Sequence, residues 1–496
     1  MEKKQKLEKI KTIFLGLWDF ANKEANKLRT RSYIWLILVF AFLERLYAIG
    51  SLGVSGAELK NIDRILSVSS PQSFFRADLS TGLYYALQYL WGRAVGFSVI
   101  NMRFFSVMLS IVGLYFFFLF VGEWFSKRSA YISTFLLSIS SFDILISRAI
   151  SHEILYMAIV FPALYLLTLA YRRKKLLYFM LAGALFGFLL YATEIAFTLA
   201  IVLGISAIYF YLKNEKFLTG FFKGKTVMAI SAALVSAPFL IWIFANPYTF
   251  LGHFSLGPVQ VADNARSLVL SVVYATPAQL MYNIGSSKLF DPYVEVTFLL
   301  GLTYAALKFK RRKFYFLLSW FLVLFLAGII EKGPVLSGFT YLAPLIFIFS
   351  AVIQSHVLRK WFKTFPFNKF ARLGMALGIG FFFALSLSLN YRKVFLAWDK
   401  YPERRLAYNA PVASVDLKNE SIFIYKPDLS SADAYAIIKN GANNNISFTN
   451  NLSDIKTSQN FVILTSPQNV FAVKSKLSNI KFKEIDGQDV ILLKGE

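Results

Sequence analysis

Residues 153–192 read EILYMAIVFPALYLLTLAYRRKKLLYFMLAGALFGFLLYA, two apolar runs (153–171 and 176–192) joined by Arg172, Arg173, Lys174 and Lys175. Each run approaches the ~20 residues that cross a hydrocarbon core. A short basic cluster between two such runs is the mark of a cytoplasmic loop. The same unit recurs along the chain. About eleven apolar segments come near spanning length, at 33–50, 104–122, 130–146, 153–171, 176–192, 195–212, 226–245, 293–309, 314–330, 340–357 and 373–390.

The whole-chain balance agrees. Of 496 residues 56% are apolar and 16% charged, against about 45–50% and 25% in soluble domains. Mean hydropathy is +0.54. Lys and Arg number 53 against 28 Asp and Glu, a net charge of +25. The cations sit in short clusters between apolar runs, so they fit loops at an inner membrane face and not nucleic acid. Cysteine is absent, which excludes disulfides, thiolate nucleophiles and Cys-ligated metal centres. The three histidines, His152, His253 and His356, are too scattered for a histidine cage.

Orientation follows from the loops. Lys127–Arg128, Arg172–Lys175, Lys213–Lys225, Lys308–Lys313 and Arg359–Arg372 alternate with cation-poor connections at 147–152, 193–194, 246–292 and 331–339. The positive-inside rule then places the N-terminus in the cytoplasm and the C-terminus outside, in a multi-pass protein of the plasma (cytoplasmic) membrane. Residues 1–32 form a basic amphipathic segment suited to the inner leaflet, or, for the first eight residues, a frayed tail. Residues 33–390 form the membrane domain, with long outer loops at 51–103 and 246–292. The aromatic stretch 83–91 in the first loop is too short to cross and suits an interfacial helix.

After Asn390 the composition becomes that of a soluble module. Strand-like runs at 422–425, 446–448, 461–465, 482–485 and 490–493 alternate with helical stretches at 430–439 and 467–477. Asp486-Gly487 is a hairpin signal. The expected fold is therefore an α-helical polytopic membrane protein with a small extracytoplasmic α/β domain over 391–496.

Carboxylates at the ends of membrane helices are costly and point to function. Glu58, Asp63, Glu153 and Glu194 all fall on the outer side. Outer cations are few, so Lys60, Arg64, Arg76, Arg93, Arg103, Arg148, Arg266 and Lys332 are candidate anion binders. For any one of them alone, a solvated loop charge or a paired helix-end charge explains as much.

The order of these features resembles the GT-C superfamily of integral-membrane glycosyltransferases, above all the branch of protein O-mannosyltransferases and the aminoarabinose transferases of lipid A. After its first span that family carries an acidic motif, usually Asp-Glu; this chain has Gly56-Ala57-Glu58-Leu59-Lys60-Asn61-Ile62-Asp63. Ser80-Thr81-Gly82-Leu83-Tyr84-Tyr85 stands at the family's Pro-rich motif, and Asn101-Met102-Arg103 at the Arg that opens the next span. Ser147-Arg148 with Glu153 matches its Arg-then-acid junction, Gly183 to Thr193-Glu194 its Gly-rich span, and Tyr341-Leu342-Ala343-Pro344 its late Tyr-x-x-Pro. The chain departs at Ala57, at the missing Pro-Pro and at Glu194 in place of Lys.

The resemblance implies transfer of a sugar from a polyprenyl-phosphate donor to a glycan, lipid or protein acceptor at the outer face, with inversion. It implies Glu58 as general base, with Glu153 and Asp63 in the catalytic group. Arg148, Arg103, Arg266, Lys60 and Lys332 would hold the donor phosphate, since a phosphate leaving group needs positive charge and Arg offers paired donors. His152, Glu194 and Tyr341 would orient the acceptor. A divalent cation on Glu58 and Glu153 is optional. Membrane lipids are partners; nucleic acid is not. The alternatives are a transporter or flippase of lipid-linked glycans, an O-antigen ligase or polymerase, and a non-catalytic GT-C-like scaffold. Nearly charge-free span centres disfavour the transporter, while Ala57 keeps the scaffold open.

Overall fold

The computed structural model describes residues 33–50, 53–67, 79–192, 198–199, 201–203, 222–248, 258–274, 287–330, 337–398 and 400–409. In the C-terminal module it describes 421–425, 446–449, 461–465, 469–477, 480, 482–486 and 491–495. A helix over 33–46 (α1) is followed by α2 (Gly56–Ser67), α3 (Leu79–Val95), α4 (Val99–Trp124), α5 (Lys127–Ser138), α6 (Ser141–Ser147), α7 (Ile154–Arg173) and α8 (Leu176–Leu189). Then come α9 (Phe222–Ala245), α10 (Pro258–Val273), α11 (Pro292–Leu307), α12 (Arg312–Ile330), α13 (Ser337–Thr364), α14 (Lys369–Tyr391), a π-helical turn (Arg392–Trp398) and α15 (Pro402–Ala407). Among the described residues six helices are long and apolar enough to cross a bilayer, or up to seven counting one bent pair; α8 and α11 are shorter apolar helices. Most of the expected span 195–212 lies outside the described residues.

The expected span 130–146 is that bent pair. α5 and α6 meet at 65°, because Ile139 and Ser140 leave the helix and Ser140 turns to an extended ψ of 127°. Away from water the freed backbone groups must find partners inside the protein. Arg45, at the end of α1, donates to the Ser138 carbonyl (3.2 Å) and to Asp143 Oδ2 (2.5 Å). Asn390 Oδ1 accepts from the Ser141 amide (2.9 Å). Two polar side chains from distant helices thus stabilise the kink. α4 also starts earlier than the expected 104, because Ser98 caps it by accepting from the Asn101 amide (3.1 Å).

Small residues set the closest helix contacts. Gly183 and Gly187 on α8 face α9, where an added Cβ at Gly183 would collide with the Met228 carbonyl oxygen and one at Gly187 would lie 2.7 Å from Val235 Cβ. This Gly-x-x-x-Gly spacing lets two backbones approach, as apolar membrane helices require in the absence of a hydrophobic drive between them. α4 packs on α7, α7 on α8, and α13 on α5, α11 and α12.

The sheet has the order β2-β1-β3-β5-β4, from β1 (Ser421–Tyr425), β2 (Ile446–Thr449), β3 (Phe461–Thr465), β4 (Phe482–Asp486) and β5 (Ile491–Gly495). Its strands coincide with the expected runs. β1 is parallel to β2 and β3, while β5 is antiparallel to β3 and β4. Phe461, Ile463 and Leu493 cluster with α16 (Val470–Lys476) on one face. Val462, Leu464 and Leu492 belong to the main core on the other. The expected helix at 430–439 lies outside the described residues.

Charge divides the bundle into two ends. At one end Arg172 pairs with Glu123, Lys313 lies over Phe125, and Arg128 and Arg372 both stack on Phe362. At the other end α2, α3 and the 148–153 turn gather around Glu58. Because the chain lacks cysteine, single replacements report on this division. Lys60→Cys and Lys174→Cys, both at exposed positions, are expected to react with an impermeant maleimide from opposite sides of sealed vesicles. Labelling of both from one side would contradict the division.

Candidate functional site

The sequence builds the site from a helix start. Ser55-Gly56-Ala57-Glu58 is a capping box: Ser55 Oγ accepts from the Glu58 amide (3.3 Å) and Glu58 Oε2 from the Ser55 amide (3.2 Å). Capping turns the Glu58 side chain inward, to zero exposure, while its neighbours Ala57 and Lys60 are exposed. Arg103, one turn into α4, meets the carboxylate in a bidentate pair, Nε to Oε1 at 3.0 Å and Nη2 to Oε2 at 2.8 Å. Its remaining donors reach the Ile49 (3.0 Å) and Gly53 (2.8 Å) carbonyls. The Ile150 amide also donates to Glu58 Oε1 (3.1 Å), and Asn61, one turn later on α2, donates to the Ile150 carbonyl (2.7 Å). Both backbone groups of Ile150 are therefore held by α2.

Burial opposes ionisation of Glu58. The Arg103 guanidinium, with the Ile150 and Ser55 amides, outweighs it and holds the carboxyl below the usual carboxylate range. Around the pair lies a nook of about 20 Å³ lined also by Arg148, Arg404 and Tyr408. Arg148 donates to the Tyr47 (2.9 Å) and Ala48 (3.1 Å) carbonyls and stacks on Phe395. Arg404 is fully buried and lies 4.7 Å from the Tyr408 ring centre. Burial, with the Glu58 charge next in effect, pushes the Tyr408 hydroxyl up to about 12. One carboxylate thus shares a water-sized space with three guanidiniums.

A second, more open group lies along the rim. Tyr85 Oη donates to Asn61 Oδ1 (2.9 Å) and accepts from Arg64 Nη1 (3.2 Å), and lies 3.5 Å from His152 Nδ1. Asp63 is half-buried, whereas Glu153, at the start of α7, is 5% exposed.

The structure brings Glu58, Arg103 and Arg148 together and sets His152 beside Tyr85 at the rim, with Asp63 half-buried on α2. Lys60 points to solvent. Arg266 is exposed on α10, which packs on α12, and the described contacts do not bring it to Glu58. Tyr341 is 2% exposed and packs edge-on against Tyr156 inside the bundle. Glu194 and Lys332 lie outside the described residues. Two expected roles do not fit this geometry. Glu58 is saturated by four N–H donors and held ionised, which makes it a poor proton acceptor. A divalent ion on Glu58 would displace the Arg103 guanidinium from both oxygens, and no group of three or more metal-ligating side chains occurs among the described residues.

Arg404, Tyr408 and Asn409 escaped the sequence reading, which began a separate module at 391. Asn409 Nδ2 donates to the Val54 carbonyl (3.1 Å), tying the segment after α15 back to the site. A basic Arg404-Arg405 pair just past a span predicted to end outside was the available signal. The capping box at 55–58 was also legible and would have foretold the inward turn of Glu58.

Residues 83–242 match the family described as dolichyl-phosphate-mannose-protein mannosyltransferase. No curated protein matches the sequence. The crystal structure of ArnT from Cupriavidus metallidurans bound to undecaprenyl phosphate superposes with a TM-score of 0.53 at 11% identity, covering 93% of this chain and 98% of that one. The same protein in the apo state gives 0.50 at 11%, covering 94% and 98%. At that identity the likeness speaks to fold. The fold is that of ArnT, and with the family match over residues 83–242 it agrees with the GT-C resemblance of the sequence.

Removing one partner of a buried ion pair leaves the other charged and uncompensated, at a cost of about 3–5 kcal/mol. Glu58→Gln is therefore expected to lower the thermal midpoint of detergent-purified protein clearly, and Lys60→Gln to leave it unchanged. Because the folded pKa of Glu58 is depressed, its contribution is complete above the unfolded value of about 4.3 and disappears as pH falls through the lower folded value. The wild-type midpoint should carry a fall in that acid range that Glu58→Gln lacks. Equal acid profiles would refute the assignment.

Proposed function

We propose that this protein transfers a sugar from a polyprenyl-phosphate donor to an acceptor hydroxyl, at the outer face of the plasma membrane, with inversion. The observation that supports it most is the cluster of Arg103, Arg148 and Arg404 around one carboxylate, where the ends of the membrane helices meet. A lipid-phosphate sugar keeps its tail in the bilayer and presents phosphate and sugar at that level. Its leaving phosphate needs positive charge aimed at the departing oxygen, not a strong acid. Undecaprenyl phosphate bound to ArnT, a protein of the same fold, supports the donor class. The loop charges support an outward-facing site.

In this reading Glu58 is a positioning residue. It fixes Arg103 and the Ile150 backbone and leaves net positive charge for the phosphate. The acceptor's proton must go to a base that an incoming hydroxyl can reach. Of the three expected catalytic carboxylates, Glu58 is sealed and Glu153 nearly so, and Asp63 keeps exposure. Asp63 is the proposed base, with Arg64, Tyr85 and His152 beside it as the surface on which the acceptor is oriented. Attack on the anomeric carbon forms the new C–O bond as the C–O bond to phosphate breaks; the hydroxyl proton passes to Asp63, and polyprenyl phosphate leaves against the arginines. A nook of about 20 Å³ does not admit a sugar phosphate, so donor binding must part Arg404 and Tyr408 from Glu58.

The non-catalytic reading draws on Ala57, which exposes a methyl group where the family carries an acid. One experiment separates the two. Purified protein in lipid is given radiolabelled polyprenyl-phosphate sugars. Wild type is expected to discharge the label from at least one donor, and Asp63→Asn to slow this by ~10²–10⁴ at an unchanged thermal midpoint. Equal rates would remove Asp63 as base, and retention of every donor by wild type would favour the scaffold.

A further inference from the structure

A second cavity lies apart from the Glu58 cluster. It occupies about 600 Å³ between the start of α11, the end of α14 and the π-helical turn, with Ser141 of α6 on its floor. That volume is in the range of small-molecule sites. It shares no lining residue with the Glu58 nook. α6 and the turn stand between them, with Ile144 and Leu145 packed on Val394 and Phe395.

Its lining has two characters. Lys288 and Arg392 supply positive charge, and Lys393 adds a buried amine donor. Lys288 pairs with Glu295 (2.7 Å), Lys393 donates to the Lys288 carbonyl, and Arg392 is exposed at the rim. Asp291, the one acid in the lining, is occupied structurally. Its Oδ1 caps α11 through the Tyr293 and Val294 amides (both 3.1 Å), and its Oδ2 accepts from Ser386 (2.8 Å) and Asn390 (3.1 Å). The rest is apolar. Leu389 and Leu396 are 39% and 49% exposed, and continue a strip begun by Phe382 (44%) and Leu385 (40%) along α14. Those positions recur at helical spacing with Arg392 on the same face. An apolar strip on a membrane helix that runs into a cationic hollow at the helix end matches a molecule with an acyl tail and an anionic head.

The geometry points to this cavity as a binding site for an anionic glycerophospholipid. The phosphodiester sits between Arg392 and Lys393, and one acyl chain lies along Phe382, Leu385 and Leu389. Free phosphate shares the headgroup chemistry but leaves the strip uncovered. A polyprenyl monophosphate shares the tail, and would make the cavity a donor site instead. The inference does not depend on the transferase reading.

The test uses full-length protein in nanodiscs of equal phosphatidylglycerol and phosphatidylcholine, released for native mass spectrometry. Wild type is expected to retain phosphatidylglycerol in preference to phosphatidylcholine. Arg392→Gln and Lys393→Gln should each reduce that preference by about tenfold, the value of one charge-assisted contact. Arg392 is exposed, so its replacement keeps the test readable if Lys393→Gln fails to fold. Addition of inorganic phosphate should leave retention unchanged. Equal retention of both lipids by wild type, full retention by Arg392→Gln, or displacement by phosphate or by polyprenyl monophosphate would each overturn the proposal.

Discussion

The carboxylate of Glu58 and the guanidinium of Arg103 meet face to face in the buried interior, and the arrangement of that end of the bundle follows from their meeting. A charge placed there must be neutralised and hydrogen-bonded on every side. Satisfying that demand draws together the start of α2, the second turn of α4, the carbonyls of Ile49 and Gly53, and the Ile150 amide. Residues 49–58, Arg103 and Ile150 lie far apart in sequence. The Arg45–Asp143 pair acts in the same way nearby, holding the bend between α5 and α6. In a bundle whose helices gain nothing hydrophobic by leaving lipid for each other, such polar ties specify which ends meet.

The ties also decide which groups are available for chemistry. A carboxylate bound by four N–H donors keeps its charge and has little capacity to take a proton, so Glu58 serves by placing positive charge. In the proposed transfer the proton goes instead to Asp63, half-buried further along α2, where Arg64 donates to Tyr85 and Tyr85 lies beside His152. The segment carrying Arg404, Tyr408 and Asn409 closes over the same place from the far side of the last membrane helix.

Much of this was open to reading in the sequence. Apolar runs and alternating basic loops located the membrane helices, because length and charge are what a bilayer selects. The strands after residue 420 were legible from their β-branched and aromatic runs between turns. Glu58, Arg103 and Arg148 were legible as candidates because their charges stand out at apolar helix ends, and the fold brings the three together. Other features were not. The bend at Ile139–Ser140 has no proline or glycine to mark it and depends on Arg45 and Asn390, dozens to hundreds of residues away. The role of Glu58 depends on its inward direction, which period and hydropathy do not report. Arg404 lies in a segment that reads as soluble linker until the chain has folded back.

The most direct measurement of the central constraint is a double-mutant cycle on thermal and denaturant stability, with Glu58→Leu, Arg103→Met and the double variant. If the pair holds this end of the bundle, each single change leaves an uncompensated buried charge and the double change does not. The double variant should then lose less than the sum of the single losses, with a coupling of roughly 2–3 kcal/mol. Single losses that simply add would contradict the account.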